Sequence, residues 1–201
     1  MTPFELALEN ELSVESLRFA NDWLFRWHNI SSHDPRRIVD VDRFDGGRIR
    51  VGGIRFEGQQ QAIFWGAVSR YLDQKAHEVF KHWDTETRSY PEKIRRASID
   101  GVENRLLQFA AGIIKRSAET DRALRGGGYP QKVEPFDSSR AQTRANTEIR
   151  RLADSHRSLL NTTERSTTEM ARSELISLKP GIHGISIDLK EAWRRLVGRF
   201  K

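Results

Sequence analysis

Residues 59–84 read QQQAIFWGAVSRYLDQKAHEVFKHWD. Phe64, Val68, Tyr71, Leu72, Val79, Phe80 and Trp83 recur at intervals of three and four, the period of one face of an α-helix. The spacing predicts a long amphipathic helix from Gln59 to about Asp84, and with it a mainly α chain. The same stretch contains HEVFKH, residues 77–82, one residue longer than the HExxH of zinc hydrolases. His77 and His82 are five apart, so on a regular helix they project roughly 140° apart and cannot chelate one ion. A π-bulge would be needed to bring them together. Asp73 and His77 are four apart and are expected to form a surface carboxylate–imidazole pair, with His82 flanking the core beside Trp83.

On the N-terminal side two short helices are expected. In SVESLRFANDWLFRWHNI, residues 13–30, Ser13 is a suitable N-cap with Glu15 in the first turn. Leu17, Ala20, Leu24 and Trp27 make one stripe, and Phe19, Trp23 and Phe25 widen it until the helix is apolar around most of its girth, the mark of a buried helix. Pro35 ends it. The only β signal is RIVDVDRFDGGRIRVGGIRF, residues 37–56, which reads as a hairpin about Asp45-Gly46-Gly47. A two-residue loop would mix polar and apolar side chains on one face. A three-residue loop, 45–47, pairs Val41 with Val51 and Asp42 with Arg50, and that register is expected.

On the C-terminal side Pro91 suits the first position of a helix running to Leu124, with Ile99, Val102, Leu106, Phe109 and Ile113 as its core seam. GGGYPQKVEP, residues 126–135, is the clearest linker. Beyond it Ser138 or Ser139 is expected to cap a helix through Leu160, with a thin seam of Ala145, Ile149, Leu152, His156 and Leu159. Arg140, Arg144, Arg150, Arg151, Arg157 and Arg165 fall on its opposite side. Residues 161–174 either continue this helix into solvent or fray. The end, 188–201, reads as a basic amphipathic helix: Leu189, Trp193, Leu196, Val197 and Phe200 on one side, Lys190, Arg194, Arg195, Arg199 and Lys201 on the other. Such a helix could pack on its own domain, dock in a partner's groove or, less favoured, lie on an anionic membrane surface.

The fold expected is therefore mainly α: a helical bundle with one inserted β-hairpin and a basic helical C-terminal extension. Residues 1–125 would form the body with the hairpin at 37–56, 126–136 the linker, and 137–201 the extension. The net charge of +6 supports this division, since residues 1–100 balance at −1 and residues 101–201 at +7. The absence of Cys removes disulfides, thiolate catalysis and thiolate metal sites. The acidic N-terminus MTPFELALENE is unlike a secretory or mitochondrial leader, and no window of 18 apolar residues occurs, so a cytoplasmic protein is expected.

Chemical motifs are thin. Asp40 and Asp42 lie on one strand face, where nucleases place magnesium ligands, but the Glu-x-Lys that should follow is missing and Arg48, Arg50 and Arg55 stand there instead. His33-Asp34 lacks companion ligands at metal-site spacing. GGRIRVGG lacks the Lys-Ser/Thr of a phosphate loop, and no nucleophile elbow surrounds any Ser. These motifs argue against an enzyme; no catalytic residue, metal or cofactor is expected, although ligands gathered from distant segments stay open. The leading expectation is a non-enzymatic binding or adaptor protein, associating with itself or with a protein partner. Its basic extension, through Arg144, Arg151, Arg157, Trp193, Arg194, Arg195 and Arg199, would engage an acidic surface. The alternatives are a nucleic-acid-binding regulator using the arginine face of 140–165, and a metal-dependent hydrolase using Asp40 and Asp42.

Overall fold

The chain opens on a capping box. In the computed structural model, which describes residues 2–30, 38–42, 47–52, 59–126 and 137–176, the Glu5 N–H donates to Thr2 Oγ1 (3.2 Å) and the Thr2 N–H to Glu5 Oε2 (2.8 Å). With Pro3 at the first helical position, α1 starts there and runs Pro3–Arg18. The expected N-cap at Ser13 is thus an interior residue of α1, because Thr2-x-x-Glu5 caps the helix eleven residues earlier. A π turn, Phe19–Leu24, follows, and α2, Phe25–Ile30, completes a single rod.

The π turn explains why residues 13–30 look apolar all round. At about 100° per residue, Phe4, Leu8, Leu12 and Phe19 fall within an arc of roughly 80°. Without interruption Trp27 and Leu24 would point roughly 100–160° away from the middle of that arc, and Trp23 roughly 60°. In the π turn the Phe25 N–H reaches the Ala20 carbonyl five residues back. That adds about one residue to the turn and swings the three side chains back into line. All seven are buried, Trp27 completely. Leu17, half a turn from that arc on α1, and Phe25, swung outward by the π turn, lie on the outside, more than half exposed. Their expected place in the buried stripe assumed one unbroken α period.

β1 (Ile38–Asp42) pairs antiparallel with β2 (Arg48–Gly52), and β1 packs against α2 with Val41 fully buried. Val41 stands opposite Ile49 and Asp42 opposite Arg48, a shift of two from the expected partners Val51 and Arg50. A two-residue shift leaves every side chain on its face, so the alternation of polar and apolar residues cannot distinguish these registers. Residues 43–46 and 53–58 lie outside the described residues, so the hairpin over 37–56 is not described as a unit.

α3 (Gln59–Glu86) and α4 (Glu92–Gly126) pack together, and α4 also lies along α1. The connection is pinned at Thr87, whose hydroxyl donates to the Trp83 carbonyl (2.7 Å) and accepts from Arg95 Nε (3.3 Å). The seven apolar residues picked out on α3, and Ile99, Val102, Leu106, Phe109 and Ile113 on α4, are all buried. Where rod meets α3, Phe19 stacks on Trp23 (5.0 Å between centroids) and Tyr71 (4.9 Å), and Trp27 meets Phe64 edge-on (5.1 Å). Several polar groups inside are matched. Gln61 and Trp65 donate to the Asp121 carboxylate (3.2 Å each), and Trp83 Nε1 donates to Ser98 Oγ (2.8 Å). Gly101 lets α4 pass against α1 at the capping box, where an added Cβ would collide with the Glu5 carboxylate.

α5 spans Ser138–Ile176. Asp137, rather than a serine, caps it: its carboxylate accepts the Ser139 N–H (3.1 Å) and hydroxyl (2.5 Å), and its pKa falls below the usual carboxylate range through those bonds. The helix continues through 161–174 without a break. Met1–Thr162 form one compact unit and Thr163–Lys201 a second. Within the stretch expected as an extension, Ala141, Ala145, Ile149, Leu152, Ala153 and Leu160 of α5 join the core of the first unit. Linker residues 127–136 lie outside the described residues.

Candidate functional site

The arginine face expected to await a partner is carried on α5, and the seam beneath it decides how that face is held. His156 takes the place of a large apolar residue. Its ring stacks on Phe80 of α3 (5.3 Å, planes 11° apart) and meets Trp83 nearly at a right angle (5.3 Å). Desolvation by burial holds its pKa below the ordinary imidazole value, with nearby Arg95 adding to the effect and Asp84 opposing it. Arg95 lies over the Trp83 ring (5.2 Å) and donates to Asp84 (2.8 Å). Arg88 also donates to Asp84 (2.9 Å), and together the two guanidinium groups overcome burial and lower the pKa of Asp84. One turn beyond His156 the seam passes through Leu160; Leu159, the expected seam residue, is largely exposed.

With this seam seated, the arginines meet acids. Arg144 donates to Asp73 of α3 (2.8 Å), the carboxylate expected to pair with His77. His77 instead places Nδ1 against the Asp73 carbonyl (2.8 Å) and Nε2 near Glu148 (3.6 Å). Arg151 forms a two-pronged pair with Glu148 (2.6 and 2.8 Å), which lowers the Glu148 pKa and raises that of Arg151. Arg157 reaches Asp100 (2.5 Å) and Glu103 (2.6 Å) on α4 and Asp154 (2.7 Å) on its own helix. Burial works against its charge, but the three carboxylates outweigh that and its pKa is raised. His82 is exposed, its ring against Phe4 (5.6 Å). The structure thus brings Arg144, Arg151 and Arg157 onto one surface, each already bound to an acid of this chain. Trp193, Arg194, Arg195 and Arg199 lie outside the described residues.

The acidic strand offers less. Asp40 stands opposite Arg50 and Asp42 opposite Arg48. Among the described residues no group of three or more His, Asp or Glu could hold a metal ion. No described helix is long and apolar enough to cross a membrane.

A surface that periodicity missed lies between α1 and α4. A hollow of about 500 Å³ is bounded by Leu12, Ser13, Ser16 and Leu17 on α1 and by Asn104, Gln108, Phe109 and Gly112 on α4. Glu9, Arg105 and Arg116 stand around it, Arg105 donating to Glu9 (3.4 Å) and Arg116 to the Ser16 carbonyl (3.2 Å). Arg116 also borders a second hollow of about 620 Å³ beside the π turn, lined by Leu24, Phe25, His28 and Thr120. On the rim Leu17 and Phe25 are exposed, and Leu6 and Val14 are exposed farther along the rod. The sequence signal was present in the doubled apolar content of residues 13–30, read as a widened core stripe rather than as two faces. Comparison with protein-family models, with curated proteins and with solved structures finds no match.

Proposed function

We propose that this chain is a non-enzymatic binding or adaptor protein of the cytoplasm. In this reading a helical body, with a hairpin inserted at 37–56, associates with itself or holds a protein partner. The basic C-terminal part, ending in the amphipathic stretch 188–201, meets an acidic partner surface. Arg144, Arg151 and Arg157 are held by carboxylates of the same chain, so the observation that carries the reading is the charge of residues 177–201. The basic residues that follow are far richer in charge than in acids, with six Lys+Arg against two Asp+Glu over 177–201. Interleaved with Trp193, Leu196 and Phe200, they suit a surface that is both acidic and apolar.

The nucleic-acid reading is the weaker one, since phosphates on the 140–165 face would have to displace Asp73, Glu148, Asp100 and Glu103 from the arginines they hold. The hydrolase reading has Asp40 and Asp42 each across from an arginine, with no third ligand beside them among the described residues.

The test compares the full chain with its Arg194→Glu, Arg195→Glu, Arg199→Glu variant, each purified from the native host and examined by intact mass and light scattering. The expected result is a salt-sensitive complex with the natural chain and its loss in the variant. A complex of unchanged composition and salt response in the variant overturns the proposal.

A further inference from the structure

We infer that the outer side of the α1–α2 rod, with the groove beside it, is the surface on which a second copy of this chain docks, rod against rod and antiparallel. This deepens the self-association part of the reading above and owes nothing to the C-terminal stretch.

Three observations converge on it. First, Leu6, Asn10, Ser13, Val14 and Leu17 occupy one arc of roughly 100°, and between Leu6 and Leu17 no charged residue shares that arc. In a chain that is 31% charged, an outward helical face without charge has the composition of an interface centre rather than of a solvated back. Leu6, Val14 and Leu17 are each more than half exposed, and the π turn brings Phe25 round to the same side.

Second, the groove floor is held open at Gly112, in the interior of α4. A Cβ there would meet nothing within 4 Å, so no packing inside the chain calls for glycine at a position where it weakens the helix. A helix arriving from outside does call for it, since the missing side chain is what gives the groove its depth.

Third, the charges select the occupant. A basic or acidic helix laid along this stripe would find no counter-charge. The complementary object is a neutral apolar helix edge, and this chain presents one alongside the groove. In a twofold pairing the Leu17 edge of each copy enters the groove of the other. Glu9 on one wall and Arg105 on the other are paired with each other at the margin (3.4 Å), which leaves the uncharged stripe as the face to be covered.

The experiment is sedimentation velocity on the full chain over a concentration series reaching about 100 µM, repeated with Leu17→Asp and Gly112→Trp. Both substitutions are directed at the groove, and thermal melts followed by circular dichroism report the fold; Leu17→Asn serves if the aspartate variant melts early. A reversible dimer is expected, weakened at least about tenfold by each substitution at unchanged helix content. It should survive Arg194→Glu, Arg195→Glu, Arg199→Glu, which separates this surface from the basic C-terminal part. A wild-type monomer throughout overturns the inference, and is the outcome if the groove belongs to the chain's own 188–201 stretch or to another protein. A dimer that either groove substitution leaves within tenfold of wild type overturns it as well.

Discussion

The rod at the N-terminus and α5 are both amphipathic helices that lean on α3 and α4, yet they are finished in opposite ways. The rod puts aromatic residues inward and still has Leu6, Val14, Leu17 and Phe25 left over outside. The inner face of α5 is sparse, four of its buried residues being alanine or a single isoleucine, while Arg144, Arg151 and Arg157 on its outer face are each matched by an acid. The lesson is that unsatisfied surface need not be the charged surface. A row of arginines in a sequence suggests a ligand only until the carboxylates that answer it are located.

The contrast would be broken most forcefully at Trp27. It is wholly buried, edge-on to Trp23 (5.8 Å) and Phe64, so Trp27→Ala should cost about 3–5 kcal/mol in a denaturant titration. A loss below about 1 kcal/mol would mean that the rod is not the anchor described.

A smaller effect tests the seat of α5. The His156 pKa is lower in the folded chain than in the unfolded one, so the unfolded state takes up the proton first. Its contribution is fully present above about pH 6.5, the unfolded value, and is lost as pH falls through the lowered native value. The facing groups Asp84 and Arg95 pull in opposite directions and do not reverse that sign. Denaturant midpoints of wild type and His156→Phe should therefore diverge between pH 7 and pH 5 in favour of phenylalanine. Parallel curves would place His156 outside the packed seam.

The smallest effect belongs to the arginines. Arg157→Gln removes a guanidinium from three carboxylates at a partly exposed site, which should cost about 0.2–1 kcal/mol at low salt and less at high salt. A salt-independent cost would mean that its aliphatic stem, rather than its charge, secures α5.

The parts of this fold that could be read from the chain are those governed by a single period. Phe64 to Trp83 and Ile99 to Ile113 repeat at three and four, and both sets are buried. The rod escaped because its period changes within it: Leu17 and Trp27 share a stripe on paper, and only the π hydrogen bond from Phe25 to Ala20 separates them in space. Helix starts were misplaced toward serines. The side chains of Thr2 and Asp137 hold the first turns, although Thr-x-x-Glu was visible at residues 2–5. The partners of Arg144 and Arg157 could not be read at all, because Asp73, Asp100 and Glu103 lie 54–71 residues away and only tertiary packing brings them within reach.

Residues 19–24 also make chain length a carrier of information. One amino acid more than the α period requires sets the azimuth of two tryptophans inside and of a leucine and a phenylalanine outside. The rod therefore behaves like a two-part key whose bit is cut at an angle to its shank. Counting residues through that segment matters as much as knowing their kinds, and an insertion or deletion there would trade the molecule's interior for its exterior without altering a single side chain.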